Sequence, residues 1–164
     1  MNRLPFTIFF DSCGFYPPQA SEKLATKKLL ILWENSIINI IISYMCEKEL
    51  SKAPPIVAKM RLTQIYTMPV TMIDNEKEIK KEIKNILFNN KAVLKNNDIN
   101  DIGNIFEAQK YGCRLFVTLD KKHIISKKKE IYNRFGMKVV MPSECILEII
   151  EYAKRRKIDL NSIY

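Results

Sequence analysis

Four short apolar runs punctuate the chain: Thr7 to Phe10, Ile37 to Ile42, Leu115 to Val117, and Lys138 to Met141, the last anchored by Val139 and Val140. They are continuous rather than alternating, which is the pattern of strands buried on both faces. Between them the apolar positions recur at helical spacing. Ser21 to Trp33 predicts one helix, and Asn75 to Phe88 a second with Ile79, Ile83, Ile86 and Leu87 on one face. Asn75 and Glu78 stand at capping-box spacing. Asp98 to Tyr111 predicts a third helix, with Asp98 at the N-cap, Ile102, Ile105 and Phe106 facing inward, and Gly112 at the left-handed C-terminal position. Gly136 is expected to close a further helix in the same way. A final helix opens at Ser143 after Pro142, is expected to bury Ile146, Leu147, Ile149 and Ile150, and ends near Lys157. Strands alternating with helices require β-α-β crossovers, so the expected fold class is α/β: a three-layer α/β/α domain with a mainly parallel central sheet. From Lys52 to Asp74 the prolines Pro54, Pro55 and Pro69 interrupt both periods, and a short helix followed by an extended edge segment around Gln64 to Thr71 is expected there. No internal repeat or flexible linker breaks the pattern, so residues 1–164 are read as a single domain.

Composition narrows the class further. Hydrophobic residues make up 47% and charged residues 27%, close to globular averages, so disorder is a poor reading. Four glycines and seven prolines are too few for the tight turns of an all-β barrel. No apolar run reaches the ~18 residues of a membrane span: Asp11 ends the first, and Asn39 and Ser43 interrupt the second. The N-terminal residues carry no signal-peptide pattern, and a cytoplasmic location without membrane partners is expected. Cys13, Cys46, Cys113 and Cys145 stand far apart beside a single histidine, which fits neither a zinc site nor a disulfide scaffold. The net charge of +9 is concentrated in Lys121, Lys122, Lys127, Lys128 and Lys129 and in Lys154 to Lys157. A polyanionic partner follows from counterion release, although lysine runs also occur as solvated helix faces and as complements to a helix C-terminus.

The acids carry the chemistry. In an open parallel sheet, ligands bind beyond the carboxyl ends of the strands. Asp11 directly follows the first strand, Asp120 follows Leu115 to Val117 with Thr118 close by, and Asp98 and Asp101 fall in the first turn of a helix that returns to the same edge. Glu49, six residues after Ser43, lies in the helix after the second strand, with Glu47 as its competitor. Taken singly each acid has an ordinary use: Asp98 as N-cap, Glu49 as an exposed helix residue, Asp120 as a turn former. Together at one edge they cannot stay ionised and unpaired, and a divalent cation is the simplest remedy. Oxygen donors select Mg²⁺ or Mn²⁺ over zinc. Such an ion can activate water for phosphodiester hydrolysis. His123 follows Asp120 by three residues. It either polarises a phosphate, with Lys121 and Lys122 as fellow RNA-binding candidates, or is an exposed loop residue. Phe15, Tyr16 and Tyr111 either stack on bases or pack at the sheet edge. A phospho-aspartate phosphatase is excluded, because it wants a second Asp where Cys13 stands.

These motifs resemble a family. Ile8-Phe9-Phe10-Asp11-Ser12 is similar to the first-strand motif of PIN domain ribonucleases, and Ile41-Ile42-Ser43 with Glu49-Leu50 to their second-strand serine and helix glutamate. The most specific stretch runs from Asp101 through Ala108 and Gly112 to Phe116-Val117-Thr118-Leu119-Asp120, matching the family's Asp, helix-ending Gly and apolar strand closed by Thr-x-Asp. Val139-Val140-Met141-Pro142-Ser143 looks like its last strand and final helix. The resemblance spans nearly the whole chain. It implies an Mg²⁺- or Mn²⁺-dependent endoribonuclease in which Asp11, Glu49, Asp101 and Asp120 are the catalytic metal ligands and a water attacks RNA. It further implies that Ser12 and Thr118 orient a carboxylate or a water, where the residues themselves equally admit strand-end hydroxyls capping a local N–H, and that a toxin–antitoxin role, with an antitoxin protein and a homodimer as partners, is open. The alternative is a catalytically inactive PIN-like module that binds RNA or a protein. Two features depart from the pattern: the turn Cys13-Gly14-Phe15-Tyr16-Pro17-Pro18, and Asn104, one turn beyond Asp101, which either touches substrate or lies along the helix.

Overall fold

The computed structural model describes residues 6–52, 66–67, 73–89 and 91–158. Five parallel strands form one sheet: β1 Thr7–Phe10, β2 Asn39–Ile42, β3 Tyr66–Thr67, β4 Leu115–Val117 and β5 Lys138–Val140, in the order β3-β2-β1-β4-β5. Six described helices flank it: α1 Ala20–Glu34, α2 Tyr44–Leu50, α3 Glu76–Leu87, α4 Asn96–Lys110, α5 Lys128–Phe135 and α6 Pro142–Arg155. From central β1 the chain steps one way through α1 to β2, and from β4 the opposite way through α5 to β5. Right-handed crossovers therefore put α1 and α5 on opposite faces, which makes the expected three layers. α6 packs on α1, and α3 packs on α4 and touches α5. Among the described residues no helix is long and apolar enough to cross a membrane.

The strands are short, buried and in register. Phe10 pairs with Val117 and Val117 with Val140, so the chain leaves the sheet at one level from all three strands. Asp11 N–H donates to Val117 O at 2.9 Å and Thr118 N–H to Val140 O at 3.1 Å, extending the ladder by one residue at that edge. Phe9 and Phe116 stack with ring centres 5.0 Å apart, and Phe10 and Phe106 are fully buried beside them. Rigid aromatic packing beneath the edge fixes what stands on it. Glu22 in the first turn of α1 accepts from Ser143 N–H at 2.9 Å and from its hydroxyl at 2.6 Å, clamping the start of α6.

Several expectations are refined. Gly112 and Gly136 take φ of 66° and 67° after their helices, as expected. Asp98 is not an N-cap: Lys95 holds that position, and Asp98 reaches back from the third helical residue to accept Lys95 N–H at 2.7 Å. The N-cap amide is satisfied from inside the helix, so α4 starts earlier and Asp101 falls in its second turn. Asn75 does stand before α3, but its side chain makes no capping bond. Leu147 is 60% exposed because the buried stripe of α6 runs through Cys145, Ile149 and Ala153, four residues apart. Part of the edge segment expected around Gln64 to Thr71 is β3, paired with Ile41 and Ile42. Its remainder, and the short helix expected before it, lie outside the described residues.

Candidate metal and active site

Asp11 sits at the centre of the carboxyl edge and is 6% exposed. Its Oδ1 accepts Ser12 N–H at 2.9 Å, which opens a single 3₁₀ turn over Ser12–Phe15. Its Oδ2 accepts the Thr118 hydroxyl at 2.7 Å and the Cys13 thiol at 3.2 Å. The Asn104 amide approaches Oδ1 at 3.4 Å. Burial raises the Asp11 pKa and the Glu49 charge adds to this, while the Thr118 and Cys13 donors pull it down. The turn needs Gly14: a Cβ there would meet the Phe10 ring at 2.8 Å. The Cys13 thiol, pushed up to about 12 by burial and the Asp11 charge, stays protonated at neutral pH and acts as a donor.

Ser43 ends β2 and caps α2, its hydroxyl oxygen accepting Cys46 N–H at 3.0 Å. The same hydroxyl donates to Asn104 Oδ1 at 2.6 Å and so ties α2 to α4. This cap aims Glu49, two turns on, into the cleft, where Asn100 donates to its Oε1 at 2.8 Å and Ser12 donates to its Oε2. Glu49 is among the cleft-lining residues and Glu47 is not. Asn104 is 1% exposed and held by Ser43 and Asp11, so it positions its neighbours and does not reach a substrate.

Asp101 has no hydrogen-bond or ion-pair partner among the described residues. Burial pushes its carboxyl up to about 8, reinforced by the charges of Asp11, Asp120, Asp98 and Glu49. Asp98 itself is occupied elsewhere: its Oδ2 meets Lys91 Nζ at 2.5 Å, which lowers its pKa. Asp120 follows β4, and its Oδ1 accepts Lys122 N–H at 3.0 Å and His123 N–H at 2.8 Å. Thr118 links two acids, donating to Asp11 while its oxygen accepts Asp120 N–H at 3.1 Å.

Asp11, Glu49, Asp101 and Asp120 thus line one cleft of about 570 Å³, together with Ser12, Cys13, Tyr16 and His123. Asp101, Asp120 and His123 present ligand atoms within 4.8 Å of one another. Among the described residues no Lys or Arg side chain lines the cleft. A donor set of carboxylate oxygens and one imidazole, with its thiol kept protonated, fits a divalent cation of the Mg²⁺ or Mn²⁺ kind.

Of the aromatic candidates, Phe15 is buried against Phe10 with ring centres 4.6 Å apart, and Tyr111 packs against the core beneath Lys110. Tyr16 alone reaches the cleft, 42% exposed. Lys121 and Lys122 are exposed in the loop between Asp120 and His123. The basic run beyond them is partly used in ion pairs, as Lys127 with Glu130 at 3.4 Å. Sequence reasoning missed Asn100, Cys13 and Cys46 as neighbours of the acids. Only the nearness of Cys13 to Asp11 in the chain offered a signal. Comparison with protein-family models and with curated proteins finds no match.

Proposed function

We propose that this chain is a PIN-like endoribonuclease that hydrolyses RNA phosphodiester bonds with the help of Mg²⁺ or Mn²⁺. The observation that carries the reading is the convergence of Asp11, Glu49, Asp101 and Asp120, from four separate elements, on one cleft at the carboxyl edge of the sheet. Asp101 and Asp120 would hold the cation, with Glu49 and Asp11 completing the acidic wall. When bound, such an ion lowers the pKa of water and offsets charge on the leaving oxygen. Thr118 keeps Asp11 and the backbone of Asp120 in a fixed relation, and Ser12 and Asn100 hold the Glu49 carboxylate from both sides. Fixed carboxylates need no reorganisation as charge develops, which is where such sites gain their rate. An acidic cleft repels phosphates, and the net charge of +9, with Lys121 and Lys122 beside the cleft, attracts the strand.

The test is cleavage of single-stranded RNA with Mn²⁺ or Mg²⁺, with and without chelator, by the wild type and by Asp11→Asn and Asp101→Asn. Cleavage should require the ion and fall sharply in both variants. No cleavage by the wild type with either ion, or cleavage by both variants equal to that of the wild type, would overturn the reading.

A further inference from the structure

We infer that His123 is a ligand beside Asp101 and Asp120, and that the centre prefers Mn²⁺ to Mg²⁺. The inference rests on the metal-dependent reading above and names the ion and the third donor of that same site.

Availability of the acids is the first argument. Asp11 has both oxygens engaged, by Ser12 N–H on one side and the Thr118 hydroxyl and Cys13 thiol on the other. Glu49 is likewise held at Oε1 by Asn100 and at Oε2 by Ser12. Asp101 has no partner among the described residues, and Asp120 gives Oδ1 to two backbone amides while turning Oδ2 to the imidazole. Among the described residues Asp101 is thus the acid of the four left without a competing donor, and beside it Asp120 Oδ2 and the His123 ring partner each other. The ligand atoms of these three lie within 4.8 Å of one another.

Placement of the ring is the second. His123 Nδ1 stands 3.1 Å from Asp120 Oδ2. Adjacent ligands around an octahedral ion bound at about 2.1 Å are about 3 Å apart, so the pair already has the spacing of two neighbouring donors. The loop is held for this: the His123 amide is fixed on Asp120 Oδ1 at 2.8 Å, and Phe88 packs against the ring with centres 5.5 Å apart. Phe88 comes from just beyond α3, so the histidine is braced by an element outside its own loop. A nitrogen donor changes selectivity. Mg²⁺ keeps its water and favours oxygen, whereas imidazole suits the first-row transition ions, among which Mn²⁺ still tolerates carboxylates.

The chain contains one histidine, so any imidazole signal has a single source in the untagged protein. The experiment is Mn²⁺ titration of the untagged full chain, followed by pulsed electron paramagnetic resonance to detect ¹⁴N coupling to the bound ion. The wild type should show that coupling and His123→Gln should lose it. Mn²⁺ affinity should fall by about tenfold or more in the variant, the scale on which groups tuning a metal site act. Mg²⁺ affinity, read by competition, should fall less. Bound Mn²⁺ without nitrogen coupling in the wild type overturns the inference, whether or not the variant folds. So does an equal loss of both ions in the variant, which would mark His123 as a brace for Asp120 only. Mn²⁺-dependent RNA cleavage without the nitrogen signal would leave the ribonuclease standing and remove the histidine ligand. Nitrogen coupling without cleavage would do the reverse, and no Mn²⁺ binding at all would remove both.

Discussion

Replacing Asp101 by Asn should make the metal-free protein more stable, and the gain should depend on pH in a defined way. The Asp101 carboxyl is pushed from 3.8 up to about 8 by burial and by the charges of Asp11, Asp120, Asp98 and Glu49. In the unfolded chain it titrates near 4, so between about pH 4 and pH 8 the folded state holds one proton more than the unfolded state. Stability from this group is therefore fully present below about pH 4 and lost as pH rises towards 8. At about 1.4 kcal/mol per pH unit the loss approaches 5 to 6 kcal/mol. Solvent reaches part of the carboxyl, and screening brings the expected cost down to about 2 kcal/mol. Asn keeps the shape without the charge. For a domain of this size, about 2 kcal/mol corresponds to a Tm higher by about 4 to 8 °C. The assay is a series of thermal melts in chelator from pH 4 to 9, wild type against Asp101→Asn. The difference should be near zero at pH 4, grow to pH 8 and level off above it. Saturating Mn²⁺ should reverse the order, since an ion at a hundredfold excess over its Kd stabilises the wild type by about 2.7 kcal/mol. A variant no more stable than wild type at pH 8 in chelator would refute the reasoning, because the like charges would then not meet.

Other outcomes follow from the same contacts. Thr118→Val removes a hydroxyl that donates to Asp11 and accepts from Asp120 N–H. It should cost about 1 to 3 kcal/mol in urea denaturation, and Thr118→Ser should recover most of that. Asn104→Ala strands the Ser43 hydroxyl at the junction of α2 and α4; a loss of about 2 kcal/mol with weakened Mn²⁺ binding is expected, and unchanged Mn²⁺ affinity would show that Asn104 does not position the acids. Gly14→Ala puts a methyl 2.8 Å from the Phe10 ring and should destabilise by about 1 to 3 kcal/mol, read as a lower urea midpoint. RNA affinity of the wild type should fall steeply with salt, and Lys121→Ala and Lys122→Ala should each flatten the log–log slope by about 1; a flat wild-type profile would count against nucleic acid as partner.

The sheet is readable from the sequence because burial on both faces leaves a strand no polar positions. Thr7–Phe10 and Leu115–Val117 are legible to the residue, each closed by a polar group where the chain meets the edge. The same signal overreaches at Ile37 and Ile38, which are buried yet precede β2, since an apolar run reports burial and not strand pairing. Leu147 is misread for a related reason: helical spacing alone admits neighbours on either side of the true stripe, and only the packing of α6 against α1 selects among them. Asp98 is ambiguous in principle, because an acid at the N-cap and an acid three residues in both serve a helix start, each by accepting a different unpaired amide.

The site divides along another line. Topology brings acids from four elements to the carboxyl edge but admits Asp98 beside Asp101 and Glu47 beside Glu49; the choice of Asp11, Glu49, Asp101 and Asp120 comes from the resemblance to PIN domain ribonucleases. Which of their oxygens are free does not follow, because the donors come from far along the chain. Asn104 is 93 positions from Asp11 and Thr118 is 107. Those donors distinguish a carboxylate that is part of the scaffold from one that is presented to a ligand. Asp11 is satisfied by its neighbours and Asp101 is opposed by them, although both are acids at the same edge. A cation would therefore gain most beside Asp101, where it relieves repulsion, and least at Asp11, where it would compete with hydrogen bonds already made. The same hydrogen-bond pattern brings His123 into the set. Asp120 captures two successive amides, curls the loop that follows, and turns the ring back towards its own carboxylate.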